Sequence, residues 1–260
     1  IIQKTYVSNN IAKTIEIFES KINSTYLVAW IDTCAKGNSL GRSLITIGEH
    51  ADYKDLNLGN KKNIFYTKKK KKLTIPFYFP KFIFNNFSIK IFNYIYFLRG
   101  KFSKKVKIID WDTFFYPLDG LLNWNRIYGN NGFAQFQCII PLSKSKQGIF
   151  ELLECISKSK SISYLAVLKR FGKDKSYFSF PMEGYSLALD FPINNKNLKL
   201  MKALDEITIK HEGRFYLAKD SRMKKETFQK SDKRIKDFKK YRKDKSKNSF
   251  SSSQSKRLGI

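Results

Sequence analysis

A chain of 260 residues, 42% hydrophobic and 15% aromatic, can close one or two cores and is not generally disordered. Fifty Lys and Arg against 22 Asp and Glu give a formal net charge of +28, which raises nucleic acid and anionic membrane as partners. Only nine of those cations are arginine, the usual base reader and bidentate phosphate clamp, so nucleic acid is set aside. Three cysteines (Cys34, Cys138, Cys155) and two histidines (His50, His211) are scattered without CxxC, HxxxH or HExxH spacing, which argues against a zinc site. Cys138 and Cys155 sit in apolar runs as small core residues, and an odd count offers no disulfide framework, so a reducing, cytoplasmic compartment is expected. The chain opens on Ile1 with no basic–apolar–small leader pattern; it reads as a fragment whose natural start lies upstream.

NNIAKTIEIFESKI (9–22) begins with asparagine caps, and Ile11, Ile15, Phe18 and Ile22 recur at helical spacing, so a helix buried along those four is expected. TYLVAWID (25–32) and LITIGEH (44–50) read as strands. Residues 51–72 are polar and end in five lysines, Lys68 to Lys72, the pattern of a mobile loop. KFIFNNFSIKIFNYIYFL (81–98) puts Ile83, Phe87, Ile91 and Ile95 on one helical face, interrupted by Asn85, Asn86, Lys90 and Asn93. Amides and charge are costly at mid-bilayer, so this is not read as a membrane span. A buried helix is expected there; the alternative is a helix lying in a membrane interface, with its lysines meeting anionic lipid.

Farther on, residues 119–128 read as a helix anchored by Trp124 and Tyr128. FAQFQCII (133–140) alternates, ELLECISKSK (151–160) is helical, and SYLAVLKRF (163–171) and YSLALDFPI (185–193) are strands. Residues 195–211 form an amphipathic helix closed by Gly213 as its left-handed C′ residue. RFYLA (214–218) reads as another strand, delivering Lys219 at its tip with Asp220 and Arg222 as a local pair and cap. Residues 223–247 are charged and helical, and SFSSSQSKRLGI is polar and serine-rich. Strand–helix–strand twice over predicts an α+β fold: an antiparallel sheet with helices on one face.

Strand side chains alternate between faces. Phe136, Cys138, Ile140, Tyr185, Leu187 and Leu189 then face the helices, while Gln135, Gln137, Ser186, Ala188 and Asp190 face away, with Lys169 and Lys219 at strand ends. A solvated face more often carries Thr, Lys and Glu throughout. Two glutamines, two small residues and two terminal lysines leave room for something flat, although a merely wet face remains the plain alternative.

FYPLDGLLNWNRIYG (115–129), GFAQFQCIIP (132–141), SYLAVLKRFG (163–172), SFPMEGYSLALDFPI (179–193), GRFYLAKDSRM (213–223) and the terminal SKRLGI resemble the C-terminal half of flavin-dependent oxidoreductases of the vanillyl-alcohol oxidase type, above all the decaprenylphosphoryl-ribose 2′-oxidase-like proteins; sugar-lactone oxidases are more distant. YLVAWIDTCAKGNSLGRSLITIGEHA (26–51) resembles the same group's entry into its substrate domain. The resemblance implies FAD as cofactor and a sugar or lipid-linked sugar as substrate, oxidised at a secondary alcohol by hydride transfer to the flavin. It implies a substrate-binding cap over 1–213 and a segment, 214–260, that returns to an FAD-binding domain not contained in this sequence. The fragment alone is then inactive.

Carried over position by position, Lys219 matches the lysine beside the flavin N1/O2 edge and the substrate. Lys169 and Gln137 match residues lining the substrate pocket beside the isoalloxazine, with Gln135 next to them. Phe115 falls where the ribose oxidases place a tyrosine, and Ser186 and Ala188 replace an asparagine and a cysteine, so the substrate differs in detail. A cation about 3.5 Å from developing negative charge contributes roughly 4–5 kcal/mol at an effective dielectric of about 20, before desolvation. Asp190 is a pocket acid or a buried structural carboxylate. Arg42 meets an anionic substrate or the surface, and His50 is structural or pocket-lining. The apolar, lysine-flanked 61–105 region suits peripheral contact with the inner membrane surface. The competing reading is a basic module that binds anionic membrane or nucleic acid without a flavin.

Overall fold

The computed structural model describes residues 1–56, 64, 72–80, 85–161, 163, 165–174, 176, 178–247 and 249–260. The chain divides into two compact units, Ile1–Phe133 and Ala134–Ile260. Most of the lysine run and Ile83 lie outside the described residues.

The first unit contains β1 (Ile2–Ser8), α1 (Ile11–Ser20), β2 (Tyr26–Ile31), β3 (Ser43–Glu49), β4 (Leu73–Thr74), α2 (Asn86–Phe102), β5 (Val106–Ile108), α3 (Trp111–Phe115) and β6 (Leu121–Leu122). β3 pairs antiparallel with both β2 and β1, and β1 takes β5 on its other edge, giving the order β2-β3-β1-β5. β4 and β6 form a separate parallel pair. Asn10 caps α1, its side chain accepting from Lys13 N at 3.0 Å. The helix stops at Ser20, two residues short of the last position of the expected face. Ile11, Thr14 and Phe18 are buried, while Ile22 lies past the helix and is exposed. Thr14 goes inside because its hydroxyl meets those of Ser8 (3.0 Å) and Ser43 (2.8 Å), so no buried donor is orphaned.

α2 departs from the expectation more sharply. Its buried row is Ile89, Asn93 and Phe97, and Phe87, Ile91 and Ile95, expected inside, are 72%, 43% and 58% exposed. Asn93 donates to Asp32 Oδ1 at 2.7 Å, and Gly100 lets the helix close on Leu44, whose Cδ1 would lie 2.3 Å from an added Cβ. α1 meets β3 at Ser43 and α2 meets it at Leu44. Adjacent strand residues point to opposite faces, so in this unit the helices lie on both faces of the sheet, and one-sided packing fails. Residues 119–128 are not a helix from end to end. β6 comes first, then a 3-10 turn over Trp124–Tyr128, in which Tyr128 is buried and both rings pack on Phe133.

The second unit follows the predicted plan. β7 (Phe133–Pro141), α4 (Leu142–Ser159), β8 (Ala166–Phe171), β9 (Gly184–Pro192), α5 (Asn195–Lys210) and β10 (Arg214–Phe215) precede three helices, α6 (Lys225–Ser231), α7 (Ile235–Ser246) and α8 (Ser253–Leu258). The strand order is β10-β7-β9-β8, antiparallel at β10–β7 and at β8–β9. Phe136, Cys138, Ile140, Leu168, Tyr185, Leu187, Leu189 and Phe191 are buried on one face. α4 reaches that face through Gly148 against Ile140, and α5 through Thr208, whose side chain bonds to Cys138. Ile149, Leu152, Ile156, Met201 and Leu204 complete the core. Here the helices do lie on one side.

Two local readings need correction. The left-handed residue after α5 is Glu212 (φ 56°), not Gly213. Gly213 is required for a different reason: a Cβ there would stand 2.7 Å from the Ile139 carbonyl oxygen. The Asp220 and Arg222 side chains do not form an ion pair; Asp220 caps the backbone that follows it. Arg222 Nη1 and Nη2 each bond Asp205 at 2.8 Å, while Asp220 accepts from Arg222 N (3.1 Å), Met223 N (2.8 Å) and Arg257 Nη2 (2.8 Å). The Asp205 side chain is only 4% exposed. Burial pushes its carboxyl above the ordinary range, while Arg222 pulls it back. Removing one partner of a buried pair strands the other charge. Arg222→Ala is therefore expected to lower unfolding stability by about 3–5 kcal/mol, read from chemical denaturation, and Asp205→Leu/Arg222→Met to cost less than the single substitution.

Candidate active site

The face of the second unit turned away from α4 and α5 carries the residues picked out by alternation. On β7, Gln135 and Gln137 are half-buried between fully buried Phe136 and Cys138. On β9, Ser186 and Asp190 are buried and Ala188 is half-buried. Gln135 donates Nε2 to Asp190 Oδ1 at 2.8 Å, and Gln137 donates Nε2 to Ser186 Oγ at 3.2 Å. Across β8, Lys169 stands opposite Ser186 and Val167 opposite Ala188, so Lys169 joins the same row as an exposed ammonium. The pleat explains the grouping: burying Leu187 and Leu189 under the helices sends Ser186, Ala188 and Asp190 to the other side.

Lys219 reaches this face by a different route from the expected strand end. β10 stops at Phe215, one further backbone bond joins Tyr216 N to Gln137 O at 3.0 Å, and the chain then tightens into a 3-10 turn over Leu217–Lys219. Two residues of the serine-rich tail, which the sequence reading did not single out, hold that turn. Gln254 Nε2 donates to Leu217 O at 2.6 Å and to Asp220 O at 3.2 Å, and Arg257 clasps Asp220. The terminal SKRLGI block contains Arg257, and Leu258 inside it is fully buried; an apolar residue after a polar run was the legible signal.

Asp190 is the electrostatic centre of the group. Burial pushes its carboxyl above the ordinary carboxylate range; the Gln135 amide and the charge of Lys219 pull it down. Its backbone N–H is satisfied by Ser163 Oγ at 3.0 Å. A buried carboxylate, two amide side chains, a hydroxyl and two ammonium groups can hold the hydroxyls of a polar ligand and stabilise negative charge beside it. Ser186 and Ala188 keep the middle of the row low.

The remaining candidates belong to the first unit. There the Phe115 ring meets Tyr26 edge-on at 4.8 Å. Arg42 is committed to Asp32, at 2.7 Å from Nε and 2.6 Å from Nη2, and covers the Phe97 ring; the anionic-substrate reading of it is withdrawn. His50 is hydrogen-bonded to Tyr26 Oη at 3.1 Å. The three cysteine thiols are pushed up chiefly by burial, Cys34 and Cys138 to about 12, which leaves them poor nucleophiles. Among the described residues no group of His, Cys, Asp and Glu could hold a metal. A cavity of about 140 Å³ between Phe178–Phe180, Arg214–Ala218 and Phe228–Arg234 contains none of the polar row.

Lys219→Ala removes one of the two influences that oppose burial at Asp190. The Asp190 pKa is expected to rise further, and Lys219→Gln to act in the same direction, followed by the carboxyl carbon shift in an NMR pH titration. An unmoved titration would mean that the two groups do not sense each other.

No protein-family model matches the chain. It is similar to decaprenylphosphoryl-beta-D-ribose oxidase of Mycolicibacterium smegmatis, with 33% identity over 211 residues that make up 80% of this chain and 45% of the mycobacterial protein. The chain thus spans about half the length of the curated relative it matches. The resemblance to decaprenylphosphoryl-ribose oxidases drawn from the sequence blocks is borne out.

Proposed function

We propose, from this kinship with an oxidase along four-fifths of the chain, that the protein supplies the substrate-binding part of an FAD-dependent oxidoreductase acting on a secondary alcohol of a sugar, carried on a lipid. Residues 1–213 form the cap and 214–260 the segment that completes an FAD-binding domain. The observation that carries the reading is the polar face of the second unit turned away from α4 and α5: the Gln135–Asp190 and Gln137–Ser186 bonds, Lys169 in register with Ser186, and Lys219 within electrostatic reach of Asp190. The folding of the 253–258 helix back onto the Lys219 turn supports treating 214–260 as one functional segment.

The donor set fits a flat, polar-edged group. Ser186 and Ala188 bring no bulk to the middle of the row, and Gln137 and Lys219 would hold the cofactor's polar edge. FAD, when bound, supplies a hydride acceptor. The chain's own part is to bind and to polarise. Gln135 and Gln137 present amides fixed by their partners on β9 and orient sugar hydroxyls. Lys169, exposed on this face, meets the substrate from the β8 side. Lys219 places a full positive charge where negative charge builds up, and the tail contacts on its turn fix that charge in advance, so little reorganisation is needed. Asp190 keeps the Lys219 ammonium on this face.

The test is flavin chemistry in a protein carrying an FAD-binding domain ahead of Ile1. It is expected to show a bound-flavin spectrum that bleaches anaerobically with a lipid-linked pentose. Even half of the roughly 4 kcal/mol available to a cation about 4 Å from the developing charge exceeds tenfold in rate. Lys219→Ala should therefore slow bleaching by more than about tenfold, while Lys219→Arg retains part of the rate. Unchanged reduction kinetics in Lys219→Ala would remove the proposed role.

A further inference from the structure

α2 carries its polar and apolar faces the wrong way round for a helix in water. Its inward row contains an amide, Asn93, bonded to the buried Asp32 carboxylate. At 100° per residue the opposite stripe is Phe87, Ile91, Tyr94, Ile95, Leu98 and Phe102. Phe87, Ile91, Tyr94, Ile95 and Phe102 are 72%, 43%, 53%, 58% and 78% exposed. The Asn93–Asp32 bond decides which face is out, because rolling the helix to bury Ile91 and Ile95 would strip the carboxylate of that donor. Lys90 and Lys101 flank one side of the stripe and Arg99 the other, all exposed.

Three further facts say what covers this stripe. From Asn85 to Ile109 the sequence has no Asp or Glu and six Lys or Arg, all exposed, so the surroundings repel a basic partner and attract an anionic one. No helix among the described residues is long and apolar enough to cross a membrane; α2, with 17 residues, is about 25 Å long. Aromatic and aliphatic side chains between lysines with long apolar stems match a helix lying in the plane of a lipid surface, rings among the acyl chains and ammonium groups at the phosphates.

We propose that the outer face of α2 docks the protein on a membrane containing anionic phospholipid. The proposal deepens the reading of a lipid-borne substrate, but it rests on different residues and needs no flavin. Its test reads neither cofactor nor turnover, so either idea can fail alone.

The 260-residue chain is sedimented with vesicles of phosphatidylcholine, alone or mixed in equal parts with phosphatidylglycerol. Two variants accompany it: Phe87→Ser/Ile91→Ser/Ile95→Ser, which changes exposed side chains only, and Lys90→Ser/Lys101→Ser. Circular dichroism and thermal unfolding verify that each keeps its fold. The expected result is at least tenfold stronger partition onto the mixed vesicles, reduced at least tenfold by the triple substitution and severalfold by loss of the two lysines. Undiminished binding by the triple variant would mean that net charge alone attracts the chain, and would overturn the proposal. Equal binding to both vesicle types would do the same. So would absence of vesicle binding together with self-association that the triple variant abolishes, which would assign the stripe to a second copy of the chain.

Discussion

The second unit depends on one constraint, the two-residue period of β7 and β9. Tyr185, Leu187, Leu189 and Phe191 are each at most 1% exposed, and burying a side chain of that kind contributes about 1.5–3 kcal/mol. A one-residue slip would bring Ser186, Ala188 and Asp190 under α4 and α5 and turn those apolar side chains out. The core therefore dictates the polar row. Gln135 and Gln137 have no freedom to choose a face, because Phe136 and Cys138 have already chosen it. The polar row on the other side is a by-product of packing against α4 and α5, and it inherits the rigidity of that packing.

Charge is handled by the same logic of fixed partners. Asp190 is raised by burial and eased by Gln135 and Lys219. Asp205 is raised by burial and eased by Arg222. The difference lies in what each partner can do besides. The Arg222 guanidinium lies across both oxygens of Asp205, a bidentate geometry that leaves it structural. Lys219 influences Asp190 through its charge, with no hydrogen bond between them among those observed. It remains able to respond to another negative group. Arg257 and Gln254 matter because they hold the turn without touching the ammonium itself.

Legibility in the sequence followed the range of the interactions. The alternation of 133–140 and 185–193 depends on nearest neighbours and could be read directly, down to which of Gln135, Phe136, Gln137 and Cys138 faces which way. The end of β10 could not be. Phe215, Tyr216 and Leu217 are all strand formers, and the tightening at Leu217 is held by a glutamine 37 positions away. The αL residue after α5 was misplaced for a related reason: Gly213 looked like a cap, but its missing side chain makes room for the Ile139 carbonyl. Arg42 and Asp32, ten residues apart, were invisible as a pair because a loop separates them. The polar row itself needed resemblance to acquire a function, since alternation tells which side chains share a face and not what rests on it.

α2 shows how a single polar contact can overrule a hydrophobic pattern. By apolar count, the stripe with Phe87, Ile91 and Ile95 should win burial over a row with an asparagine. It loses because Asp32 is already buried, held by Arg42, by Asn93 and by a bond from Cys34 N at 2.9 Å, and turning Asn93 out would leave that buried carboxylate one donor short and expose Ile89 and Phe97 in exchange. Gly100 reinforces the choice, because an added Cβ there would push the Leu44 methyl groups aside. An exposed apolar stripe thus becomes the consequence of satisfying one carboxylate.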